Sequence, residues 1–320
     1  MEYNLLDLYK VMKRIRMVEE AIADNYNNEV REMHTPIHLC DGQEAIAAGI
    51  CLQLAQEDVI FSNHRCHGHY LAKGGDLNKM IAELHNKESG CCKGRGGSMH
   101  LMDKENGVAL TSAIVAGNVS IGTGYALAEQ MKKSSHIAVV FFGDGASEEG
   151  SVYESICFAK LKKLPILFVC ENNLYAVATP MSSREPNSDI SSKFETILPV
   201  VKIDGNDITA IWKAAKTAID NARSGNGPSL LECMTYRFRA HHNITDGVDG
   251  HFRTAQELEL WQEQDPIARL KSELLLYKLT DENALYKLEQ GIKQEIDTAF
   301  EYARKSACPD SNKLFEGLWG

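Results

Sequence analysis

Apolar residues recur every three or four positions near the start of the chain, at Leu5, Leu8, Val11, Met12 and Ile15. This spacing puts them on one face of a helix and predicts an amphipathic helix over residues 3–28. Further helices are predicted over residues 42–54 and 119–132. The segment 87–120 is rich in glycine and serine and shows little periodicity, which is typical of a loop region.

Short apolar segments alternate with helical ones through the middle of the chain. Runs rich in β-branched and aromatic residues predict buried strands at 136–142, 166–170, 200–203 and 230–235. Helices are predicted between them, over residues 147–163 with Ser147 as the capping residue, and over 207–223. Strands that alternate with helices form a parallel sheet covered on both faces. The sequence therefore predicts an α/β fold with a parallel sheet flanked by helices.

The last part of the chain has a different pattern. Residues 255–305 are helical in character, with breaks at Pro266 and near Asp281. The sequence has no internal repeat and no linker-like stretch. We therefore expect one α/β domain over residues 1–320, which includes the N-terminal helix and a C-terminal helical extension over 255–320.

Composition and charge narrow the functional classes. The formal net charge is 34 − 44 = −10, which disfavours nucleic acids and anionic membranes as partners. The apolar runs are shorter than a membrane span, and the start MEYNLLDLYK lacks the order of a signal peptide. Nine cysteines without a C-x-x-C pair indicate reduced thiols in a cytoplasmic protein. Metal binding or redox sensing by Cys91 and Cys92 stays open as an alternative.

Polar side chains follow two consecutive predicted strands. Asp144 lies in a Gly-Asp-Gly turn after the first strand, and Asn173 follows the second in the segment ENN. If the strands are neighbours, both side chains project into one crevice at the carboxyl edge of the sheet. Glycines and free N–H groups at the following helix suit a diphosphate, while carboxylate and amide oxygens suit Mg²⁺. A Gly-Asp-Gly turn alone is typical of a plain strand-to-helix turn, but the ENN segment favours a binding site.

The spacing of GDG and ENN resembles the thiamine-diphosphate motif. Four further segments occur in order, HLCDGQEAIAAG at 38–49, HRCHGHYLAKG at 64–74, CKGRGGSMH at 92–100 and PSLLECMTYRFRAHH at 228–242. Together they resemble the alpha subunit of the first, decarboxylating component of 2-oxo acid dehydrogenase complexes, which include pyruvate, acetoin and branched-chain dehydrogenases. The resemblance extends from about residue 5 to the LFEGLWG tail.

The resemblance implies a set of cofactor-binding residues. The implied magnesium ligands are Asp144, Asn173 and the backbone carbonyl of Tyr175. The implied contacts to thiamine diphosphate are His64, Arg65, Gly145 and Ala146 at the diphosphate, and Ala113 and Val115 at the aminopyrimidine. Arginine suits a diphosphate because its planar fork matches phosphate oxygens.

The resemblance also implies two active-site histidines. His242 corresponds to the histidine of a mobile loop, where it also contacts the cofactor, and His67 corresponds to a second one. The loop here reads His241-His242-Asn243 and is about one residue longer than usual. His241 therefore remains an alternative to His242.

The implied activity needs partners. The resemblance implies an α2β2 enzyme whose beta subunit supplies the pyrimidine-binding domain and the catalytic glutamate. It decarboxylates or cleaves its substrate and transfers the acyl group to a lipoyl group on an acyltransferase. The alternatives are a split transketolase-like or carboligating enzyme without a lipoyl acceptor, and a non-catalytic paralogue. The sequence does not distinguish pyruvate, acetoin and branched-chain acids as substrates.

Overall fold

The computed structural model describes residues 4–26, 31–242, 248, 252–313 and 315–316. The helices are α1 Leu5–Tyr26, α2 Glu44–Cys51, α3 His67–Ala72, α4 Leu77–Leu84, α5 Gly117–Lys132, α6 Gly150–Lys162, α7 Ile190–Phe194, α8 Ile208–Arg223, α9 Ala255–Gln262, α10 Pro266–Leu276 and α11 Glu282–Lys305. The strands are β1 Val59–Ser62, β2 Val108–Thr111, β3 Ala138–Gly143, β4 Ile166–Asn172, β5 Tyr175–Ala176, β6 Thr179–Pro180, β7 Val200–Asp204 and β8 Ser229–Met234. The ends of the predicted helix 3–28 lie outside the described residues.

A parallel sheet forms the centre of the fold. Its six strands lie in the order β2-β1-β3-β4-β8-β7, and each pairs in parallel with its neighbour. The pair β3–β4 runs in register from Ala138 opposite Ile166 to Gly143 opposite Glu171. The predicted α/β fold with a flanked parallel sheet is confirmed.

Alternating side chains of the sheet supply a separate apolar core on each face. Val139 and Phe141 of β3 pack with residues of α1, α2, α8 and α11. Val140 and Phe142 point the other way and pack with residues of α5 and α6. Because both faces are covered, the central strands β3 and β4 are almost continuously apolar, and their carboxyl edge remains as the place for a polar crevice.

Two local predictions were wrong. The segment 87–120 is not a continuous loop, since β2 pairs with β1 inside it and α5 begins at Gly117. A strand of only four residues has too little periodicity to be recognised, and its pairing with β1 stabilises it. Ser147 does not cap a helix, because it lies in a 3₁₀ turn over Asp144–Glu148 and donates to the Asp144 carbonyl at 2.7 Å.

The C-terminal helices begin where the sequence predicted breaks. Asp265 accepts hydrogen bonds from the Ile267 and Ala268 amides at 2.7 and 3.2 Å, with Pro266 in the first turn of α10. Asp281 caps α11 by accepting a hydrogen bond from the Ala284 amide at 2.8 Å. α11 packs against α4 and α1.

In the described part of the chain, no helix combines the length and the apolar character that crossing a membrane requires. The assignment of residues 1–320 to one domain stays a prediction.

Candidate functional site

The carboxyl ends of β3 and β4 bring two predicted site residues together. Asp144 follows β3 directly and Asn173 follows β4, and their side chains are buried, with 2% and 8% exposure. Because β3 and β4 are neighbours, both residues line one cavity of about 250 Å³. The condition on which the sequence-based argument depended, that these two strands are neighbours, is met.

The backbone after β4 folds tightly against the turn that holds Asp144. Asn173 Oδ1 accepts a hydrogen bond from the Tyr175 amide at 3.3 Å, which places the Tyr175 backbone beside the Asn173 oxygen. The hairpin β5–β6 then brings Ala176 over Gly145. A Cβ atom added at Gly145 would lie 2.8 Å from the Ala176 Cβ, so only glycine fits there. Gly145, Ala146 and Tyr175 all line the cavity.

Asp144 lies in a small cluster of oppositely charged side chains. Its carboxylate pairs with Arg184, which also contacts Glu148. Burial raises the pKa of Asp144 above its usual range, and the positive charge of Arg184 opposes that shift. A buried carboxylate is stabilised in its charged form by a cation, so Asp144 is suited to hold a metal ion.

Two buried arginines lie near the cavity without an acidic partner in the described ranges. Arg65 donates to the carbonyl oxygens of Leu39 and His241, at 2.5 and 3.1 Å. Arg237 donates to the Val177 carbonyl at 2.9 Å, and its buried Nη1 has no hydrogen-bond partner among the described residues. Burial, reinforced by the charge of Arg65, holds the pKa of Arg237 well below its usual range. Uncompensated buried charges of this kind fit an anionic ligand such as a diphosphate.

Three histidines gather beside Arg65. His64 and His241 line the cavity, and the ring of His38 lies 4.9 Å from His64 and 5.1 Å from His241, measured between ring centroids. Burial, followed by the positive charge of Arg65, lowers the pKa of His64 to about 2 and those of His38 and His241 to about 3. These three imidazoles are therefore neutral at pH 7.

The two histidines predicted to be catalytic, His242 and His67, do not line the cavity. His242 is exposed and does not line the cavity, and its ring centroid is 6.1 Å from that of His241. Residues 243–247 lie outside the described residues. His67 is fully buried, and its Nδ1 and Nε2 atoms pair with Glu19 Oε1 at 2.7 Å and Ser98 Oγ at 2.9 Å. Its two nitrogens are thus engaged away from the cavity.

The segment before α5 forms one rim of the cavity. Val115 lines it and is 52% exposed, next to Ile114, which is 73% exposed. Ala113 is half-buried and does not line the cavity. Exposed apolar residues at a polar crevice mark a surface suited to contact with another molecule.

Sequence reasoning missed some residues of the site. The Asn173 side-chain amide donates to Gln43 Oε1 at 3.4 Å, and Arg237 supplies a buried positive charge. Gln43 and Arg237 lie in the segments DGQEA and TYRFR, which carry the family resemblance. Their roles, however, depend on contacts between distant parts of the chain. Neither segment by itself indicates which of its polar side chains points inward.

The chain is similar to one family and several of its members over nearly its whole length. A family model described as dehydrogenase E1 component matches residues 10–312. The chain is 38% identical to the alpha subunit of acetoin:2,6-dichlorophenolindophenol oxidoreductase from Bacillus subtilis (strain 168), covering 99% of this chain and 94% of that protein. It is 34% identical to the pyruvate dehydrogenase E1 component subunit alpha of Rhizobium meliloti (strain 1021), covering 98% and 89%. With the chloroplastic pyruvate dehydrogenase E1 component subunit alpha-3 of Arabidopsis thaliana the identity is 35%, covering 98% and 74%.

Proposed function

The chain belongs to the dehydrogenase E1 component family, and from this premise we propose that it is the alpha subunit of a two-subunit enzyme that decarboxylates pyruvate-like 2-oxo acids or cleaves acetoin. Membership of this family implies thiamine diphosphate as the cofactor. The similar dehydrogenase subunits favour this function over a split transketolase-like or carboligating enzyme.

One observation carries the proposal. The buried Asp144 and Asn173 lie side by side at the ends of β3 and β4, near the buried positive charges of Arg65 and Arg237. Oxygen donors beside uncompensated cations match a magnesium ion bound to a diphosphate. Neither a plain strand-to-helix turn nor a packing core requires this combination.

Each residue of the site has a proposed role. Asp144, Asn173 and the backbone carbonyl of Tyr175 hold Mg²⁺. The diphosphate is bound by Gly145, Ala146, His64 and Arg65, and the aminopyrimidine lies against Ala113 and Val115. The close packing of Gly145 on Ala176 supports this, because a glycine lets the backbone approach a ligand. When bound, thiamine diphosphate supplies a nucleophilic carbon and an electron sink.

The chain contributes proton transfer through the His241-His242 pair. The sequence predicts His242 as the active-site histidine, with His67 as a second. The position of His241 on the cavity wall supports His241 as the group that exchanges a proton with the reacting acyl unit. Burial and then the charge of Arg65 lower its pKa, and a diphosphate bound at Arg65 would offset the second cause and make His241 a better proton acceptor.

Partner subunits complete the proposed enzyme. Val115, Ile114 and Val177 at the cavity rim are more than half exposed, which supports a covering beta subunit in an α2β2 assembly. That subunit supplies the pyrimidine-binding domain and its glutamate, and a lipoyl-bearing acyltransferase accepts the acyl group. The cytoplasm remains the proposed location.

A substrate panel tests the proposed function. The chain is purified together with its beta subunit, thiamine diphosphate and Mg²⁺, and is supplied with pyruvate, acetoin and branched-chain 2-oxo acids. Acylation of free lipoamide by one of them is the expected result. Condensation products formed without any lipoamide acylation would support the carboligating alternative instead. Failure to bind the cofactor would indicate a non-catalytic paralogue.

A further inference from the structure

Cys91 and Cys92 are the only adjacent cysteines in the sequence, and the fold brings their sulfur atoms close together. The two Sγ atoms and a carboxylate oxygen of Glu83 all lie within 4.8 Å of one another. Both cysteines are half-buried, so they are not sealed inside the apolar core. Neither of them lines the proposed cofactor cavity. The pair is therefore a group of potential ligands outside the site described above.

The backbone around the two cysteines is held in place by Glu83. This residue of α4 is fully buried. Its carboxylate accepts four backbone hydrogen bonds, from the amides of Cys92, Gly94, Gly96 and Gly97. The Cys91 amide donates to the Lys79 carbonyl at 3.2 Å. Because the backbone is fixed in this way, only the two thiol side chains have to move when they bind a ligand.

The same four hydrogen bonds remove Glu83 from the set of available ligands. A carboxylate has about four lone-pair positions, and here each of them is matched by a backbone amide. Among the described residues, an ion in this cluster therefore meets two available ligands, both of them sulfur. Structural zinc sites close with four protein ligands and catalytic ones with three, so two are too few for zinc. Thiolates without oxygen or nitrogen partners select soft ions such as Cu⁺.

The separation and the chemistry of the two thiols both suit one bridging ion. A thiolate–metal bond of about 2.3 Å lets two sulfurs on one ion lie up to about 4.6 Å apart, so Sγ atoms already within 4.8 Å need at most a small rotation. A hydrogen bond with Cys91 lowers the pKa of Cys92, against burial and the charge of Glu83. The Cys92 thiol otherwise donates to the His100 carbonyl at 2.9 Å, and an ion would displace that proton.

We propose that Cys91 and Cys92 bind a soft, thiophilic ion of low coordination number, of the Cu⁺ class, at a site separate from the cofactor cavity. Each thiol releases its proton and each sulfur forms one bond to the ion, whose oxidation state does not change. The oxygen donors proposed at Asp144 and Asn173 suit Mg²⁺ instead, so the two sites take different ions. The inference does not depend on the proposed function.

Competition for Cu⁺ tests the site on the full-length chain. The protein is titrated, without oxygen, into the coloured complex of Cu⁺ with bicinchoninate, and is expected to withdraw one ion per chain with an affinity that rises with pH. Losing a supporting residue near a metal costs about 10- to 100-fold in affinity, so losing a ligand in Cys91→Ser or Cys92→Ser should weaken binding by at least about 100-fold. The matched control is Cys157→Ser, at a half-buried single cysteine of α6, which should bind as the unaltered chain does.

Three outcomes would overturn the proposal. They are a lack of Cu⁺ transfer to the unaltered chain, an unchanged affinity in Cys91→Ser or Cys92→Ser, and an equal loss in Cys157→Ser. Circular dichroism checks that each variant is folded. Should a serine variant fail to fold, alkylation of the unaltered chain replaces it. Bound Cu⁺ should protect Cys91 and Cys92 together from iodoacetamide, as located by peptide mass spectrometry, and equal labelling with and without Cu⁺ would also overturn the proposal.

Discussion

Asp144 has a buried carboxylate at the end of β3, and its replacement tests the proposed metal site most directly. Asp144→Ala removes the only charged ligand among the three proposed for Mg²⁺. We expect magnesium-dependent affinity for thiamine diphosphate to fall by at least about 100-fold, as for loss of a primary metal ligand. Calorimetric titration with cofactor and Mg²⁺ measures this.

The matched control is an aspartate outside the cavity. The Asp189 side chain is 44% exposed and pairs with Lys202 at 2.9 Å, so Asp189→Ala should leave the affinity unchanged. Unchanged affinity in Asp144→Ala, with a native circular dichroism spectrum, would contradict the assignment of the ligand.

The two adjacent histidines of the loop can be separated by parallel substitution. A positioned acid or base contributes about 10²- to 10⁴-fold to a rate. Since His241 lines the cavity and His242 is exposed, we expect His241→Ala to lower the rate of lipoamide acylation by about that factor, and His242→Ala to lower it less. Cofactor affinity should change little in both, because the proposed magnesium ligands are elsewhere.

The comparison also tests the sequence-based assignment. A severe loss in His242→Ala beside a mild one in His241→Ala would restore His242 as the active-site histidine. If both variants kept full activity, neither would transfer the proton, and the proposed role of the loop would be contradicted.

At the scale of elements, Arg16 and two carboxylates link three helices. Glu44, the first residue of α2, accepts hydrogen bonds from Arg16 of α1 at 2.5 and 3.0 Å and from the Gly42 amide at 3.1 Å. Arg16 also binds Asp265 at the start of α10, at 2.7 Å. Breaking a buried ion pair costs about 3–5 kcal/mol, so Glu44→Gln should lower the free energy of unfolding by about that amount.

Urea denaturation measures the effect, and an exposed ion pair provides the control. Lys216 and Asp220 form an exposed pair within α8, and Asp220→Asn should cost less than about 1 kcal/mol. Equal losses in the two variants would mean that the contacts of Glu44 do not stabilise the packing of these helices.

The sequence predicted long elements better than short ones. Strands β3 and β4 and helices α5 and α8 were placed within about two residues, since each carries a clear period or a buried apolar run. The strands β1 and β2 were missed because each has four residues and depends on pairing with its neighbours. A local pattern therefore predicts an element only where the element is long enough to show its periodicity.

At the scale of the whole molecule, the sequence predicted the part of the site that lies at the ends of two consecutive strands. Asp144 and Asn173 could be placed together because parallel strands share one edge. The roles of Arg237 and Gln43 could not be predicted, since each depends on a contact with a distant residue. For Gln43 that residue is Asn173. The burial of His67 between Glu19 and Ser98 could likewise not be predicted, because α1 and the segment before β2 meet only in the folded chain.

The exposure of the cavity rim leads to the last prediction, on the activity of the chain by itself. Val115 and Val177 are 52% and 56% exposed beside the proposed cofactor site, so the crevice is open to water on that side. Decarboxylation requires a water-excluding site and, in the proposed α2β2 enzyme, a glutamate of the beta subunit. The purified chain with saturating thiamine diphosphate, Mg²⁺ and pyruvate or acetoin should therefore show no turnover, and addition of the beta subunit should produce it.

Mass spectrometry of the same sample verifies that no partner is present, and calorimetry with cofactor and Mg²⁺ verifies that the chain is folded and competent to bind. Steady turnover by the chain alone would mean that its own residues supply the missing carboxylate. Glu171 would then be the first candidate, since it is buried, lines the cavity and pairs with His69 at 3.2 Å. Activity that appears only with the beta subunit, and that Glu171→Gln leaves within about tenfold of the unaltered enzyme, would place the essential carboxylate on the partner.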